Sequence, residues 1–233
     1  MKFTLTLNCP HCHSAKIVKN GKKPSGKQNY LCKDCRKQFQ DSYEYNGANP
    51  FIKALIKRAL LRNVGVRDCQ WIFEVSRGCV LDLVLDIAQE TEPWQPLRKC
   101  YRNVQIDELW TYVGSKDNRL WLIYAYSPDT SEILDYTWGD RDAETVEKLY
   151  KSLEGLDIER FYTDDWTSFR KVLPREKHIV GKENTKHIEG VNTCLRARNR
   201  RFVRQTTCFS KSYYNHMTIT QAIINQRNRY HTF

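Results

Sequence analysis

Three acidic residues and two cysteine pairs are the side chains of this sequence best placed to do chemistry. Asp107 falls within an alternating apolar run, Asp164 closes another in Phe161-Tyr-Thr-Asp-Asp165, and Glu189 lies on a helical segment. A lone acidic residue is ordinarily a solvated surface charge, and it is placement on strand interior, strand end and helix that marks these three. Carboxylates converging from three separate elements could hold a pair of hard cations, Mg²⁺ or Mn²⁺, which prefer oxygen ligands. Two such ions activate a water or a 3′-hydroxyl and stabilise the leaving oxygen during in-line attack on a phosphodiester. No covalent nucleophile is required. Glu108 and Asp165 adjoin the candidate ligands; strand alternation turns Glu108 away from Asp107 and excludes it.

Cys9-Pro-His-Cys12 and Cys32-Lys-Asp-Cys35 flank a stretch containing Gly21, Lys22, Lys23 and Gly26. Each pair offers two thiolates from one tight turn, and four soft ligands make the closed tetrahedral set of structural Zn²⁺. So short a segment buries little apolar surface, and metal binding is expected to fold it. A redox role would need a strand-to-helix context that these pairs lack. His11 and His13 read as exposed loop residues. Cys69, Cys79, Cys100, Cys194 and Cys208 have no partner at ligand spacing and are expected as small buried apolar residues.

The elements that must position these groups follow from periodicity. From Phe51 to Leu60 apolar residues recur at helical spacing, Gly65 breaks the helix, a short helix carries Cys69, Ile72 and Phe73, and Ser76 is placed to cap a third through Ile87. The three resemble a helix-turn-helix, whose third helix enters the major groove. Arg77 at its start could meet DNA, whereas Asp82 and Asp86 would repel phosphate. Glu90-Thr-Glu-Pro93-Trp-Gln-Pro96 is acidic and aperiodic, which sets a boundary there. Beyond it come strands at 102–113, 120–126 and 133–138, a helix at 143–153, a strand at 158–162, a short helix at 167–173, a short strand at 178–180 and a long helix from Thr185; residues 213–229 could form one more. This βββαβαβα order matches the RNase H-like fold, a mixed five-stranded sheet flanked by helices with its first and fourth strands side by side. The expected class is α+β, with a zinc ribbon at 1–46, a helix-turn-helix at 47–90, a linker at 91–100 and the RNase H-like domain at 101–233.

Arg196, Arg198, Arg200, Arg201 and Arg204 crowd the region just past Glu189 and read as a phosphate-binding strip, while Ile188, Val191, Leu195 and Phe202 keep an apolar stripe on the same helix. Asn192, one turn from Glu189, could orient a metal site or meet a phosphate. With 38 Lys and Arg against 27 Asp and Glu, the net charge of +11 favours a polyanionic partner. The 40% hydrophobic content suffices for packed cores, while a mean hydropathy of −0.68 leaves no membrane span. The first residues contain no apolar signal core, so a cytoplasmic protein with reduced cysteines is expected.

The stretches Asp107-Glu-Leu-Trp-Thr-Tyr-Val-Gly114, Arg119-Leu-Trp-Leu-Ile-Tyr-Ala-Tyr126, Thr163-Asp-Asp-Trp166, Thr185-Lys-His-Ile-Glu-Gly-Val-Asn192 and Phe209-Ser-Lys-Ser212 resemble the transposases of the insertion sequence 1 family. The resemblance implies a zinc ribbon and helix-turn-helix ahead of a DDE domain, with 24 residues between the second Asp and the Glu, as between Asp164 and Glu189. It further implies metal-dependent cleavage and strand transfer on double-stranded DNA, at terminal inverted repeats and a target, by a homo-oligomer associated with the bacterial nucleoid when DNA-bound. Gly190 and Val191 stand where family members often carry a basic residue and a His, so the phosphate-contacting face of that helix differs. An RNase H-like nuclease shares the fold and metals but needs no ribbon plus helix-turn-helix, and a non-catalytic DNA-binding repressor leaves the carboxylate spacing without a purpose.

Overall fold

The computed structural model describes residues 7–40, 45–203, 205 and 209–230, so Arg204 and Cys208 lie outside the described residues. The chain divides into two compact units, Met1–Lys53 and Ala54–Phe233.

In the first unit β1 (Ile17–Lys22), β2 (Gln28–Cys32) and β3 (Gln38–Gln40) form an antiparallel sheet. The two cysteine turns repeat one another. Cys9 O accepts from His13 N and Cys32 O from Arg36 N, and both His13 (φ 58°) and Arg36 (φ 60°) adopt the left-handed conformation directly after the second cysteine. Among the described residues, apolar support gathers around Phe39, packed with Leu7, Ile17 and Tyr30, which is little for a folded unit. His11 and His13 are exposed, as expected.

The second unit opens with α1 (Pro50–Leu60), whose start lies before the division, then α2 (Val66–Phe73) and α3 (Arg77–Glu90). Ile56, Leu60, Cys69, Val80, Leu83, Val84 and Ile87 turn inward. The Ser76 hydroxyl accepts from Cys79 N at 3.1 Å and so caps α3, a contact worth about 1 kcal/mol. Residues 91–99 have no regular structure yet are tied down. The buried Glu132 carboxylate accepts from Trp94 Nε1, Leu97 N, Thr130 Oγ1 and Tyr101 Oη, and Asn225 donates to Glu92 O.

Five strands follow: β4 (Cys100–Tyr112), β5 (Arg119–Ser127), β6 (Glu132–Gly139), β7 (Asp157–Thr163) and β8 (His178–Val180), in the order β6-β5-β4-β7-β8. β4 runs antiparallel to β5 and parallel to β7, which puts the first and fourth strands of the sheet side by side in an RNase H-like arrangement. Alternation along β4 and β5 sorts side chains between two faces. Val104, Ile106, Ile123 and Ala125 pack against α4 (Ala143–Ser152) and α5 (Thr167–Val172). Leu109, Leu122 and Tyr124 pack against α6 (Lys186–Arg198) and α7 (Tyr213–Tyr230), and α7 also carries α3.

Two expectations need correction. Phe202 is buried as expected but is not on the helix of Glu189, because α6 ends at Arg198 and Phe202 sits in a separate 3₁₀ turn, Arg200–Phe202. Of the described lone cysteines only Cys69 is buried; Cys79 and Cys194 are half-buried and Cys100 is exposed. Helix and strand periodicity place Cys79, Cys100 and Cys194 off the inward faces, and a thiol is small enough to be tolerated there.

Candidate active site and cysteine cluster

The parallel ladder between β4 and β7 pairs Cys100 with Asp157, Val104 with Phe161 and Gln105 with Tyr162. Two residues beyond the last pair on each strand stand Asp107 and Asp164. The register that makes the sheet therefore brings the two aspartates abreast, at the mouth left where β7 stops and β4 continues. Asp107 lies on the face covered by α6, which brings Glu189 into the same neighbourhood.

The three carboxylates feel one another. Burial raises Asp107 above the ordinary aspartate value, hydrogen bonds from Glu108 N–H and Asn192 oppose the rise, and the charges of Asp164 and Glu189 add to it. Asn192 Nδ2 donates to Asp107 Oδ2 at 2.5 Å, and Asn192 Oδ1 accepts from the buried Tyr124 hydroxyl at 2.7 Å. Asp164 Oδ1 accepts from Trp166 N at 3.1 Å. Behind it, Thr163 Oγ1 donates to Asp164 O at 2.7 Å, which leaves it to accept from His178 Nε2, also at 2.7 Å. Glu189 is exposed on the first turns of α6. Gln105 anchors that helix start: its Oε1 accepts from Ile188 N at 2.8 Å and its Nε2 donates to Asn184 O. The donor set is all oxygen, which suits hard divalent cations. The carboxylates are not drawn to the tight spacing of the cysteines, the one group of three or more such ligands within 4.8 Å among the described residues.

Cys9 Sγ and Cys35 Sγ lie 3.6 Å apart, as do Cys12 Sγ and Cys32 Sγ. A tetrahedral zinc with Zn–S bonds of about 2.3 Å sets its sulfurs about 3.8 Å apart, so the four thiols fit that ion. Backbone N–H groups of Cys35 and Asp34 point at Cys32 and draw its thiol down to about 7, while desolvation and hydrogen bonds among the clustered thiols push Cys12 up to about 12.

The sequence-predicted groups are distributed unevenly around this site. Asn192, expected to orient a metal site or meet a phosphate, is 7% exposed with its amide engaged by Asp107 and Tyr124. Gly190 opens onto solvent, but Val191 is buried in the core, so only the first of these two positions faces outward. Arg196 and Arg198 are half-buried on α6, and Arg200 and Arg201 follow on the 3₁₀ turn, which bends the strip. Arg201 Nε donates to Ser210 Oγ at 3.0 Å. Arg200 N donates to Asn63 Oδ1 at 2.6 Å and its guanidinium lies 3.7 Å from Asp68, so the turn before α2 docks on the end of α6. Arg77 is exposed at the start of α3; Asp86 faces Lys57 at 3.6 Å, which offsets its charge. Glu108 is turned to the α4 and α5 face, where it meets Arg141, and the exposed Asp165 pairs with Arg170. Gln105 and Tyr124 escaped the sequence reading. The signal for Gln105 was a buried amide two residues before Asp107, on the same strand face.

Residues 102–230 match the family model described as IS1 transposase, and residues 3–36 match that of the InsA N-terminal domain, a zinc ribbon. The chain belongs to the IS1 transposase family. Among its relatives, the insertion element iso-IS1n protein InsB of Shigella dysenteriae is 39% identical over 54% of this chain and 96% of that protein. The insertion element IS1 protein InsB of Shigella flexneri is 31% identical over 52% of this chain and 92% of that protein. A chain in the structure of a simian T-cell lymphotropic virus intasome with the PP2A regulatory subunit B56 gamma aligns at a TM-score of 0.34 and 11% identity, over 72% of this chain and 64% of that one. That likeness is too loose to carry an argument. Among the described residues no helix is long and apolar enough to cross a membrane.

Proposed function

We propose that this IS1-family protein binds the terminal inverted repeats of an insertion sequence and catalyses metal-dependent strand cleavage and strand transfer. The observation that supports it most directly is the β4–β7 register, which sets Asp107 and Asp164 abreast under the helix that carries Glu189. These three carboxylates would hold Mg²⁺ or Mn²⁺, ions that supply an activated water or 3′-hydroxyl and a stabilised leaving oxygen. The protein's own part is orientation. Asn192 and Tyr124 fix the Asp107 carboxylate, the Trp166 N–H fixes Asp164, and Gln105 fixes the start of α6.

Cys9, Cys12, Cys32 and Cys35 would hold one structural Zn²⁺. We assign the segments 1–46 and 47–90 to recognition of the element's ends, 91–100 to the connection and 101–233 to chemistry. Arg77 would contact end DNA, and Arg196, Arg198, Arg200, Arg201 and Arg204 the phosphates of the strand being cut. Binding through these cations weakens as salt rises. A homo-oligomer bridging two ends, in the cytoplasm and on nucleoid DNA, completes the reading.

The test is nicking and strand transfer on a labelled end duplex. Asp107→Asn, Asp164→Asn and Glu189→Gln each abolish both while end binding persists, and Asp165→Asn is milder because its charge is spent on Arg170 at the surface. A dead Asp165→Asn beside an active Asp164→Asn moves the site by one residue. Cleavage of RNA–DNA hybrid in preference to end DNA makes the protein a nuclease instead.

A further inference from the structure

On the opposite face of the sheet from Asp107, a charged pair reaches the ring of Trp166, two residues past Asp164. Arg141, in the connection between β6 and α4, donates from Nε at 3.0 Å and from Nη2 at 2.7 Å to the same oxygen, Oε1 of Glu108. Its guanidinium lies 4.6 Å from the ring centre of Trp166 and 5.3 Å from that of Trp121. A flat cation can stack on two indoles at once, and lysine cannot reproduce that. Trp166 is the residue whose backbone N–H holds Asp164 Oδ1, so whatever fixes its indole also fixes that donor.

Glu108 itself is costly. Its side chain is 8% exposed, and Oε2 is buried with no hydrogen-bond partner among the described residues. A buried carboxylate oxygen without a donor destabilises a fold, and an apolar side chain would fill the same place at lower cost. What Glu108 alone provides is an anchor for Arg141, placed one residue along the strand from Asp107.

We propose that Glu108, Arg141 and Trp166 form a clamp that fixes the Asp164 carboxylate relative to Asp107, which makes them positioning residues for the metal-binding pair. This rests on the carboxylate reading above. The clamp crosses from β4 through the guanidinium to the turn after β7, so it joins the two aspartates at the point where the strands are no longer hydrogen-bonded to each other.

The experiment is calorimetric titration of the full-length, zinc-loaded protein with Mn²⁺, beside a thermal melt of each variant. E108Q, R141A and R141K each weaken Mn²⁺ binding about tenfold, the scale on which groups behind metal ligands act. W166F, which keeps a flat ring and the backbone N–H, retains most of the affinity. R141K or E108Q binding Mn²⁺ as the wild type does overturns the clamp, and E108Q, nearly isosteric, decides the matter if the Arg141 variants do not fold. D164N separates the two levels: wild-type Mn²⁺ affinity in D164N removes the carboxylate site itself, whatever the clamp variants do.

Discussion

Asn192 on α6 hands its amide N–H to the Asp107 carboxylate on β4 across 2.5 Å, while its own carbonyl is held by Tyr124. This single side chain sets which way the Asp107 carboxylate faces. Asn192→Ala is expected to lower nicking by about 10- to 100-fold, and Asn192→Asp by more, since it sets a second charge against Asp107. The lost hydrogen bond is one that holds the Asp107 pKa down against burial. Its removal moves the acidic limb of the pH–rate profile upward in pH, which rates measured from pH 5 to 9 would reveal.

Gln105 closes two backbone groups at the start of α6 from a neighbouring strand. Gln105→Leu leaves Ile188 N–H unpaired in a buried place and Asn184 C=O in a half-buried one, at a cost of about 1–3 kcal/mol. Chemical denaturation measures that loss. Nicking at saturating DNA should fall with it, because Glu189 rides on the same turn, while end-DNA affinity holds.

His216 is fully buried, with Nδ1 facing Ser210 Oγ at 3.2 Å and its ring against Trp138 and Phe202. Burial, with Arg201 adding to it, pushes its pKa down from 6.5 to about 4. Between these values the unfolded chain takes up a proton that the folded protein refuses. Stability from this group is therefore intact above pH 6.5, falls as the pH drops through the window, and levels off below 4, a loss on the order of 3 kcal/mol. Denaturation curves of wild type and His216→Phe should converge or cross as the pH falls from 7 to 4; parallel curves would show that the imidazole is not titrating.

Purified protein should carry one zinc per chain by elemental analysis. Cys32→Ser, which removes one of the four thiols gathered within 4.8 Å, should release it and expose residues 7–40 to proteolysis. The melting of the 54–233 unit should hardly change. Metal retention with an intact first unit in Cys32→Ser would rule out the ribbon.

The elements were legible because their periods are clean. The alternation through Val104 and Ile106 and the 3.6-residue repeat through Ile188, Val191 and Leu195 each name an inward face, and Ser76 marks its helix start. Four cysteines in two short turns named their own ligand set. Periodicity fell short where the backbone bends: nothing in the residues following Arg198 distinguishes a continued helix from the 3₁₀ turn that holds Phe202. It also fell short at Gln105 and Arg141, polar residues whose partners lie 83 and 33 positions away along the chain. Such contacts depend on how strands are paired, which a single sequence does not display.

That Asp107 and Asp164 are brought abreast by ladder pairing, rather than by the path of the chain between them, separates two kinds of length change. Residues added in the turn at Ser115–Asn118, or in the bend after α4, lengthen the contour and leave the pairing untouched. A single residue gained or lost inside the paired stretch of β4 or β7 slides one aspartate past the other by about 3.3 Å and turns one of them to the opposite face. The distance along the chain between Asp107 and Asp164 can therefore change in the connections without moving the pair, whereas a one-residue change within Cys100–Gln105 or Asp157–Tyr162 displaces it.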